Sequence, residues 1–297
     1  MRSSSAKCRV KFEELDGKHF YNIVSCNFMN VAVIDVRTPE EHGKLFINNS
    51  YNFPLEKFDD SDSGKNLWDC IHQRKFARAI IIHDNEEAVL KSRIPHVIDD
   101  VSGGTAALSY LKGGLASFYK KYPFVCAKPE GGNSWGSFEQ IAVSWPSRIT
   151  RYVYLGDWQS ASNETVFDNL GIKHVVNCCK ERNAFEDKEG FMYHNVSIVD
   201  HPSADISTYF EAVVDFIDQA TKQKQKVLVH CHAGVSRSTT VVVAFLMKTK
   251  RWPYKKALNY VKQRRYIVDP NFGFVEQLRK FEESLGLSSP AEENKTA

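Results

Sequence analysis

The sequence predicts an α/β fold built from two domains, each with a central, mostly parallel sheet flanked by helices. Runs rich in β-branched residues, typical of buried strands, occur at residues 31–36, 80–83 and 227–229 and alternate with helical patterns. Such alternation indicates parallel strands joined by helices. The chain has 297 residues, which is enough for two hydrophobic cores.

A stretch rich in glycine, serine and proline separates the two halves, as is typical of a linker. We therefore expect a first domain over residues 1–127, a linker over 128–146, a second domain over 147–287 and a disordered tail over 288–297.

Composition indicates an ordinary globular protein, with 42% hydrophobic and 25% charged residues. Neither a signal segment nor an apolar run of ~18 residues is present, so we expect no membrane association and a cytoplasmic or nuclear location. The seven cysteines are odd in number and lack CxxC spacing, so neither disulfides nor a metal site is expected. Residues 221–297 carry a net charge of +9, against −6 for residues 1–220. This positive charge either attracts anionic substrates or belongs to a solvated helix face.

In the first domain, residues 12–15 have a helical pattern and are followed by a polar turn at Asp16 and Gly17. Residues 31–36 are predicted to form a strand, and a helix is expected to begin at Thr38 with Pro39 in its first turn. Residues 80–83 predict a second buried strand, and residues 57–64 form a polar, acidic loop.

In the second domain, strands are predicted over residues 152–157 and 174–177, with a helix over 162–170 between them. Further helices are expected over residues 206–220, 253–263 and 275–285.

The stretch between residues 227 and 247 carries the chemistry, because a buried strand is followed by a loop and then by an apolar helix. Free N–H groups and the positive end of the helix dipole make such a loop an anion site. Cys231 is then expected to act as a thiolate nucleophile, and Arg237 to hold two phosphate oxygens. Gly234 allows the turn, and Ser238 can donate a hydrogen bond to the thiolate. The predicted phosphate-binding residues are His232, Ala233, Gly234, Val235, Ser236 and Arg237.

Cleavage of a phosphate ester also requires a proton for the leaving oxygen, which a carboxylic acid can supply. Asp200 ends an apolar strand, whereas Asp205 precedes a predicted helix and is expected to cap it. His201 is expected to be a surface loop residue.

The string HCHAGVSRS at residues 230–238 resembles the signature of the protein tyrosine phosphatase superfamily, and its interior looks most like the dual-specificity branch. The resemblance implies hydrolysis of phosphotyrosine and phosphoserine/threonine through a phospho-cysteine, without a cofactor. In this branch the general acid follows a strand about thirty residues before the cysteine, which matches Asp200. His230 is expected to support the nucleophile, and Asn271 looks like the residue that braces the loop, although a simple Pro-Asn turn is the alternative.

Residues 8–126 resemble the rhodanese-like fold, through the motifs at residues 35–42, 51–54 and 111–118. Active rhodaneses place a catalytic cysteine after the strand at residues 80–83, where this chain has Asp84 and an acidic loop. The resemblance therefore implies a catalytically inert domain.

An inert rhodanese-like domain before a dual-specificity phosphatase domain resembles the MAP kinase phosphatases and their Styx-like pseudophosphatase relatives. The implied partner is a phosphorylated protein, with a MAP kinase docking on the first domain; no nucleic acid or membrane is expected. In the phosphatases an arginine cluster docks on the kinase, but residues 55–62 here are acidic, and the nearest basic group is at residues 73–78. Three alternatives stay open: a Styx-like phosphoprotein-binding scaffold, a phosphatase of phosphoinositides or RNA 5′ ends, and a sulfurtransferase.

Overall fold

The computed structural model describes residues 10–25, 30–73, 75–128 and 143–287. It divides into two compact units, Met1–Glu139 and Gln140–Ala297. Most of the predicted linker and the whole predicted tail lie outside the described residues, so the boundaries proposed from the sequence stay predictions.

The first unit contains a five-stranded parallel sheet in the order β1-β6-β5-β2-β4. Its strands are β1 (Phe12–Leu15), β2 (Val31–Asp35), β4 (Tyr51–Asn52), β5 (Arg78–Ile82) and β6 (Ala107–Leu111), and β3 (Phe46–Ile47) pairs separately with β7 (Cys126–Ala127). Its helices are α1 (Gly17–Ser25), α2 (Pro39–Lys44), α3 (Ser63–Cys70), α4 (Glu86–Lys91), α5 (Ile94–Ser102) and α6 (Gly114–Tyr119), with short 3₁₀ turns at Leu55–Asp59 and Pro123–Val125.

The helix predicted over residues 12–15 is wrong, since these residues form strand β1 at the sheet edge. They pair in parallel with β6, nearly a hundred residues later in the chain. The expected turn at Asp16 is also wrong, because Asp16 Oδ1 accepts hydrogen bonds from the amides of Lys18 (2.8 Å) and His19 (3.0 Å) at the start of α1. Long-range pairing therefore overrides the local pattern.

The helix start predicted at Thr38 is confirmed. Thr38 is the N-cap of α2, its hydroxyl accepts from the Glu41 amide, and the Glu41 carboxylate accepts from the Thr38 amide. This reciprocal capping box satisfies two amides that the first turn of a helix leaves free.

The second unit also has a five-stranded sheet, in the order β11-β10-β12-β9-β8, with β8 antiparallel and the others parallel. The strands are β8 (Ser147–Arg148), β9 (Val153–Gly156), β10 (Ile172–Asn177), β11 (Met192–Asn195) and β12 (Lys226–His230). The helices are α7 (Trp158–Ala161), α8 (Glu164–Leu170), α9 (Phe210–Lys222), α10 (Arg237–Lys250), α11 (Tyr254–Lys262) and α12 (Phe272–Ser284), and Ser207–Tyr209 form a 3₁₀ turn.

The predicted mixed α/β class with parallel sheets is confirmed in both units. In the second unit, β12 lies at the centre of the sheet and is buried, and the first ten residues of α10 that follow Arg237 are buried without exception. The loop between them is thus held from both sides at the carboxyl end of the sheet, where α/β proteins bind ligands. Among the described residues, no helix is both long and apolar enough to span a membrane.

Candidate active site

The loop from Cys231 to Ser236 joins β12 to α10 and forms the centre of the site. Gly234 allows its turn, since its φ is +68° and a Cβ there would lie 2.5 Å from the Gly156 carbonyl oxygen and 2.6 Å from Arg265. A side chain at this position would therefore require both the loop and β9 to move.

Cys231 is buried beneath this loop, with 1% of its surface exposed. Its Sγ accepts hydrogen bonds from the Gly234 amide and from the Ser238 hydroxyl, each at 3.2 Å. Ser238 belongs to the first turn of α10 and is fully buried. Both donors hold the sulfur beneath the loop, near the N-terminus of α10.

The loop amides differ in their partners. Gly234 donates to the sulfur, whereas the backbone N–H groups of five other predicted phosphate-binding residues donate to no acceptor in the described part of the chain: His232, Ala233, Val235, Ser236 and Arg237. Helix α10 has no side-chain cap on its first amides and no acidic residue in its first turn. A run of free N–H groups at a helix N-terminus is a typical binding site for phosphate.

Arg237 lies over the same loop, with its side chain 14% exposed. Its guanidinium donates to the carbonyl oxygens of Cys178 and Ile198, each at 3.2 Å. Its Nε is buried, has no hydrogen-bond acceptor among the described residues, and lies 3.7 Å from Asp200 Oδ2. A buried N–H without an acceptor is costly, and a bound anion would satisfy it.

Asp200 is fixed at the edge of the loop by two hydrogen bonds. Its Oδ1 accepts from the Ser236 hydroxyl at 2.7 Å and from Asn271 Nδ2 at 2.8 Å. About a third of its side chain is exposed. The structure therefore brings Asp200, the predicted general acid, beside Arg237 and the loop between β12 and α10.

Asn271 combines the two roles that the sequence left as alternatives. Its Oδ1 accepts from the Phe274 amide at 3.0 Å and caps α12, while its Nδ2 holds Asp200. Its contact with the phosphate loop is made by its backbone N–H, which donates to Ser236 Oγ at 3.2 Å.

Asp205 and His201 lie apart from these contacts. Asp205 Oδ1 accepts from the amide (3.1 Å) and the hydroxyl (2.6 Å) of Ser207 at the start of the 3₁₀ turn. The N-cap residue of that turn is Ile206, without a side-chain cap, and α9 begins only at Phe210, so Asp205 does not cap the helix predicted over residues 206–220. His201 is exposed, and its Nδ1 is paired with the Ser203 hydroxyl at 2.8 Å.

His230 precedes the nucleophile and is 2% exposed. Burial lowers its pKa to about 4, against opposing contributions from the Cys231 backbone and Asp157, so the ring is neutral at neutral pH. Burial also raises the pKa of Cys179 to about 12 and that of Cys178 well above its usual value. These two neighbours of the site are therefore thiols.

Arg265 is a site residue that the sequence reasoning missed. It is 3% exposed, its Nε donates to the Gly234 carbonyl at 2.9 Å and its Nη2 donates to the Ala233 carbonyl at 3.2 Å. On the adjacent side of the loop, the Trp158 amide donates to the His232 carbonyl at 3.1 Å. These contacts turn the loop carbonyls away from the side where the free amides lie, and since they involve backbone atoms, no residue pattern in the sequence signals them.

A buried sulfur under free amides, an arginine with a buried Nε and a fixed carboxyl group are typical of the site of a cysteine-dependent phosphatase. Residues 153–284 match the family described as dual specificity phosphatase, catalytic domain. This segment is therefore a dual specificity phosphatase catalytic domain, as the resemblance of its signature loop implied.

Individual relatives agree with this assignment. A probable rhodanese domain-containing dual specificity protein phosphatase of Dictyostelium discoideum is 37% identical over 177 residues, covering 59% of this chain and 37% of that protein. Dual specificity protein phosphatase 5 of Rattus norvegicus is 36% identical over 226 residues, covering 69% of this chain and 58% of that protein. The chain thus spans 37% and 58% of the length of these two curated relatives.

Among solved structures, the human tyrosine phosphatase-like serine/threonine/tyrosine-interacting protein is 32% identical and gives a TM-score of 0.43. The match covers 48% of this chain and 98% of that structure.

Proposed function

We propose that the chain is a protein phosphatase that hydrolyses phosphotyrosine and phosphoserine/threonine through a phospho-Cys231 intermediate. The observation that carries this proposal is the pairing of a buried Cys231 sulfur, which accepts two hydrogen bonds, with five free loop amides and the unpartnered Nε of Arg237. Together they supply a nucleophile and the donors that hold its target.

In the first step, the Cys231 thiolate attacks phosphorus in line with the leaving oxygen. The loop amides and the Arg237 guanidinium stabilise the negative charge on the transferring phosphoryl group. Asp200 donates a proton to the leaving oxygen, so that the product leaves as a neutral alcohol or phenol. The 3.7 Å distance from Asp200 Oδ2 to Arg237 Nε supports this role.

In the second step, water attacks the phospho-cysteine, and Asp200 accepts a proton from that water. The S–P bond breaks and the sulfur leaves as a thiolate. Ser238, whose hydroxyl lies 3.2 Å from the sulfur, stabilises this leaving group by donating a hydrogen bond. Neither step requires a metal or an organic cofactor.

For the first unit we propose an inert, rhodanese-like partner domain. Asp84 stands where a sulfur-carrying cysteine is expected, and it lies 3.7 Å from the guanidinium of Arg37, which is bound to Asp35. The carboxylates of this loop repel anionic sulfur donors.

The proposed substrates are phosphorylated proteins in the cytoplasm or nucleus, with a MAP kinase as the candidate that docks on the first unit. The resemblance to MAP kinase phosphatases supports this partner. We expect a kinase to contact this unit in a different way from the family's arginine cluster, because the segment at that place is acidic. Glu56, Asp59 and Asp60 are exposed around the 3₁₀ turn, and Phe58 of that turn is buried in the core. Arg74 of the alternative basic group lies outside the described residues.

A scaffold that binds phosphoproteins without turnover is the second candidate, by resemblance to Styx-like proteins. Such a scaffold lacks the nucleophile, whereas this chain has Cys231, Arg237 and Asp200 in contact with one loop. The presence of all three favours turnover.

The test is phosphate release from phosphotyrosine and phosphothreonine peptides, a phosphoinositide and a triphosphorylated RNA 5′ end. Turnover of both peptides at rates well above the two other substrates supports the proposal. Faster turnover of the lipid or the RNA would mean that the substrate is a phosphoinositide or an RNA 5′ end rather than a protein. Tight peptide binding without phosphate release would support the scaffold function.

A further inference from the structure

Large apolar side chains are scarce on the surface of the described chain, and they concentrate around the phosphatase site. Five are exposed: Leu90, Met192, Val199, Tyr266 and Phe272. Three of these five adjoin residues of the site, because Val199 precedes Asp200, Tyr266 follows Arg265 and Phe272 follows Asn271. Single exposed hydrophobic residues are normal, but a group of them beside a functional site indicates binding.

Val199 lies at the edge of the phosphate position. The carbonyl oxygen of Ile198, on one side of it, accepts a hydrogen bond from Arg237 at 3.2 Å. The carboxylate of Asp200, on the other side, accepts one from Ser236 at 2.7 Å. Both neighbours of Val199 are thus fixed to the phosphate loop or its arginine, yet Val199 itself is 46% exposed.

Phe272 is anchored beside the same carboxylate. It follows Asn271, which donates to Asp200 at 2.8 Å, and it precedes Gly273. A Cβ on Gly273 would lie 1.9 Å from the Pro202 carbonyl oxygen, so the chain at this point packs directly against the segment after Asp200. Phe272 is 70% exposed, the largest exposed fraction of the five residues. We call Val199 and Phe272 the apolar rim.

We propose that the apolar rim binds the side chain that neighbours the phosphorylated residue in a substrate protein, and that it selects apolar residues there. This inference rests on the proposed function. The leaving oxygen must reach Asp200 for protonation, so the phosphorylated residue enters beside the rim, and the next residue of an extended substrate lies only about 3.8 Å further along the chain. An apolar neighbour buries the exposed Phe272 and Val199 surfaces, whereas a charged neighbour would lose hydration there without gaining a partner.

The experiment compares pairs of phosphotyrosine peptides that differ only in the residue directly before or directly after the phosphotyrosine, leucine in one and glutamine in the other. For the wild type we expect kcat/KM to favour leucine by about 5- to 20-fold at one of the two positions, chiefly through KM, which is the scale of a hydrophobic pocket. Phe272→Ser and Val199→Thr should each reduce this ratio, and the double variant should bring it close to one. Since the readout is a ratio within one variant, a change in overall activity does not affect it.

Met192→Gln is the matched control, because Met192 is 54% exposed on β11 of the same unit and adjoins no site residue, and it should keep the wild-type ratio. A wild type without preference at either position, or a preference that survives in the double variant, would overturn the inference. The same peptides are titrated against Cys231→Ser by calorimetry, so the rim is tested by binding even where turnover is absent. Loss of turnover with an intact leucine preference in binding would overturn the proposed function alone.

Discussion

The central strands of the two units end in the same way and diverge at the next residue. Strand β5 runs into Ile82-His83-Asp84, and strand β12 runs into Val229-His230-Cys231. Both histidines are 2% exposed, and burial lowers the pKa of each. In each unit the central strand of a mostly parallel sheet thus leads into a buried, neutral histidine, which is followed by a carboxylate, Asp84, in the first unit and by a thiol group, Cys231, in the second.

The arginines beside the two loops differ in how they are neutralised. Arg37 donates to both oxygens of Asp35, at 2.9 and 2.6 Å, and its guanidinium also lies 3.7 Å from Asp84. Arg237 instead donates to two neutral carbonyl oxygens and keeps a buried Nε without an acceptor in the described chain. Arg37 is thus bound by a carboxylate at hydrogen-bond distance, whereas Arg237 faces its carboxylate, Asp200, at 3.7 Å without a hydrogen bond.

The helices that follow the two loops show the same contrast. Helix α4 begins with Asn85, whose side chain accepts from the Ala88 amide at 3.0 Å, and has Glu86 and Glu87 in its first turn. Helix α10 lacks a side-chain cap: the hydroxyl oxygen of its N-cap residue, Ser236, accepts from the Asn271 amide outside the helix, and the hydroxyl donates to Asp200. The comparison teaches that the two sheets supply a similar edge, and that the second unit differs from the first by its free loop amides and by an arginine Nε without an acceptor among the described residues.

Among the variants that test this difference between the two units, removal of the nucleophile should have the largest effect on turnover. We expect Cys231→Ser to lower turnover by at least four powers of ten while phosphate affinity survives, since the loop amides and Arg237 remain. The measurement is phosphate release together with phosphate binding by calorimetry. Cys70→Ser, a half-buried thiol of the first unit, is the control and should keep full activity. Residual turnover above about 1% in Cys231→Ser would mean that another residue attacks.

Asp200→Asn should have the next largest effect, a decrease of roughly 10²–10⁴-fold on phosphotyrosine peptides, because the leaving oxygen loses its proton donor. The decrease should be much smaller on an aryl phosphate with a weakly basic leaving group, and the alkaline limb of the pH–rate profile should disappear. Asp205→Asn is the matched control and should lack this substrate dependence. The opposite result would exchange the roles of the two carboxylates.

Much of this site can be predicted from the sequence, because its signals are local. The strand, the glycine turn, Cys231, Arg237 and the helix follow one another within one short stretch, and the structure places their side chains on one loop. The sequence also distinguishes Asp200 from Asp205, because Asp200 ends an apolar run whereas Asp205 precedes a predicted helix.

The rest could not be predicted because it depends on contacts between distant segments. Arg265 reaches the loop through carbonyl oxygens, which no residue type identifies. Strand β1 is four residues long and owes its conformation to pairing with β6. The double role of Asn271 likewise follows from where α12 begins relative to Asp200, which a single sequence does not reveal.

The buried histidine should have a smaller, pH-dependent effect, on stability rather than on turnover. His230 has a pKa of about 4 when folded and about 6.5 when unfolded, so the unfolded chain binds a proton first as the pH falls. The second unit should therefore lose up to about 3 kcal/mol of stability between pH 6.5 and pH 4, at about 1.4 kcal/mol per pKa unit. The measurement is hydrogen-exchange protection of the β12 amides in urea. His230→Asn should flatten this dependence, and an unchanged slope in the variant would show that other groups cause it.

The last prediction concerns the first unit, for which we expect no sulfurtransferase activity. Thiosulfate and cyanide should yield no thiocyanate above background, because the loop after His83 presents Asp84, Glu86 and Glu87 to an anionic donor and Arg37 is already neutralised. The variant Asp84→Cys tests whether a thiol at this position is enough for activity. It supplies a nucleophile, while the capped helix α4 and its two glutamates remain. We expect this variant to stay inactive as well, because a thiol alone lacks the free loop amides and the unpartnered arginine Nε found near Cys231. Thiocyanate formation by the wild type that is lost on mutation of one cysteine in residues 1–126 would overturn the inert assignment. Formation by Asp84→Cys would show instead that the acidic loop excludes anions less strongly than its charges imply.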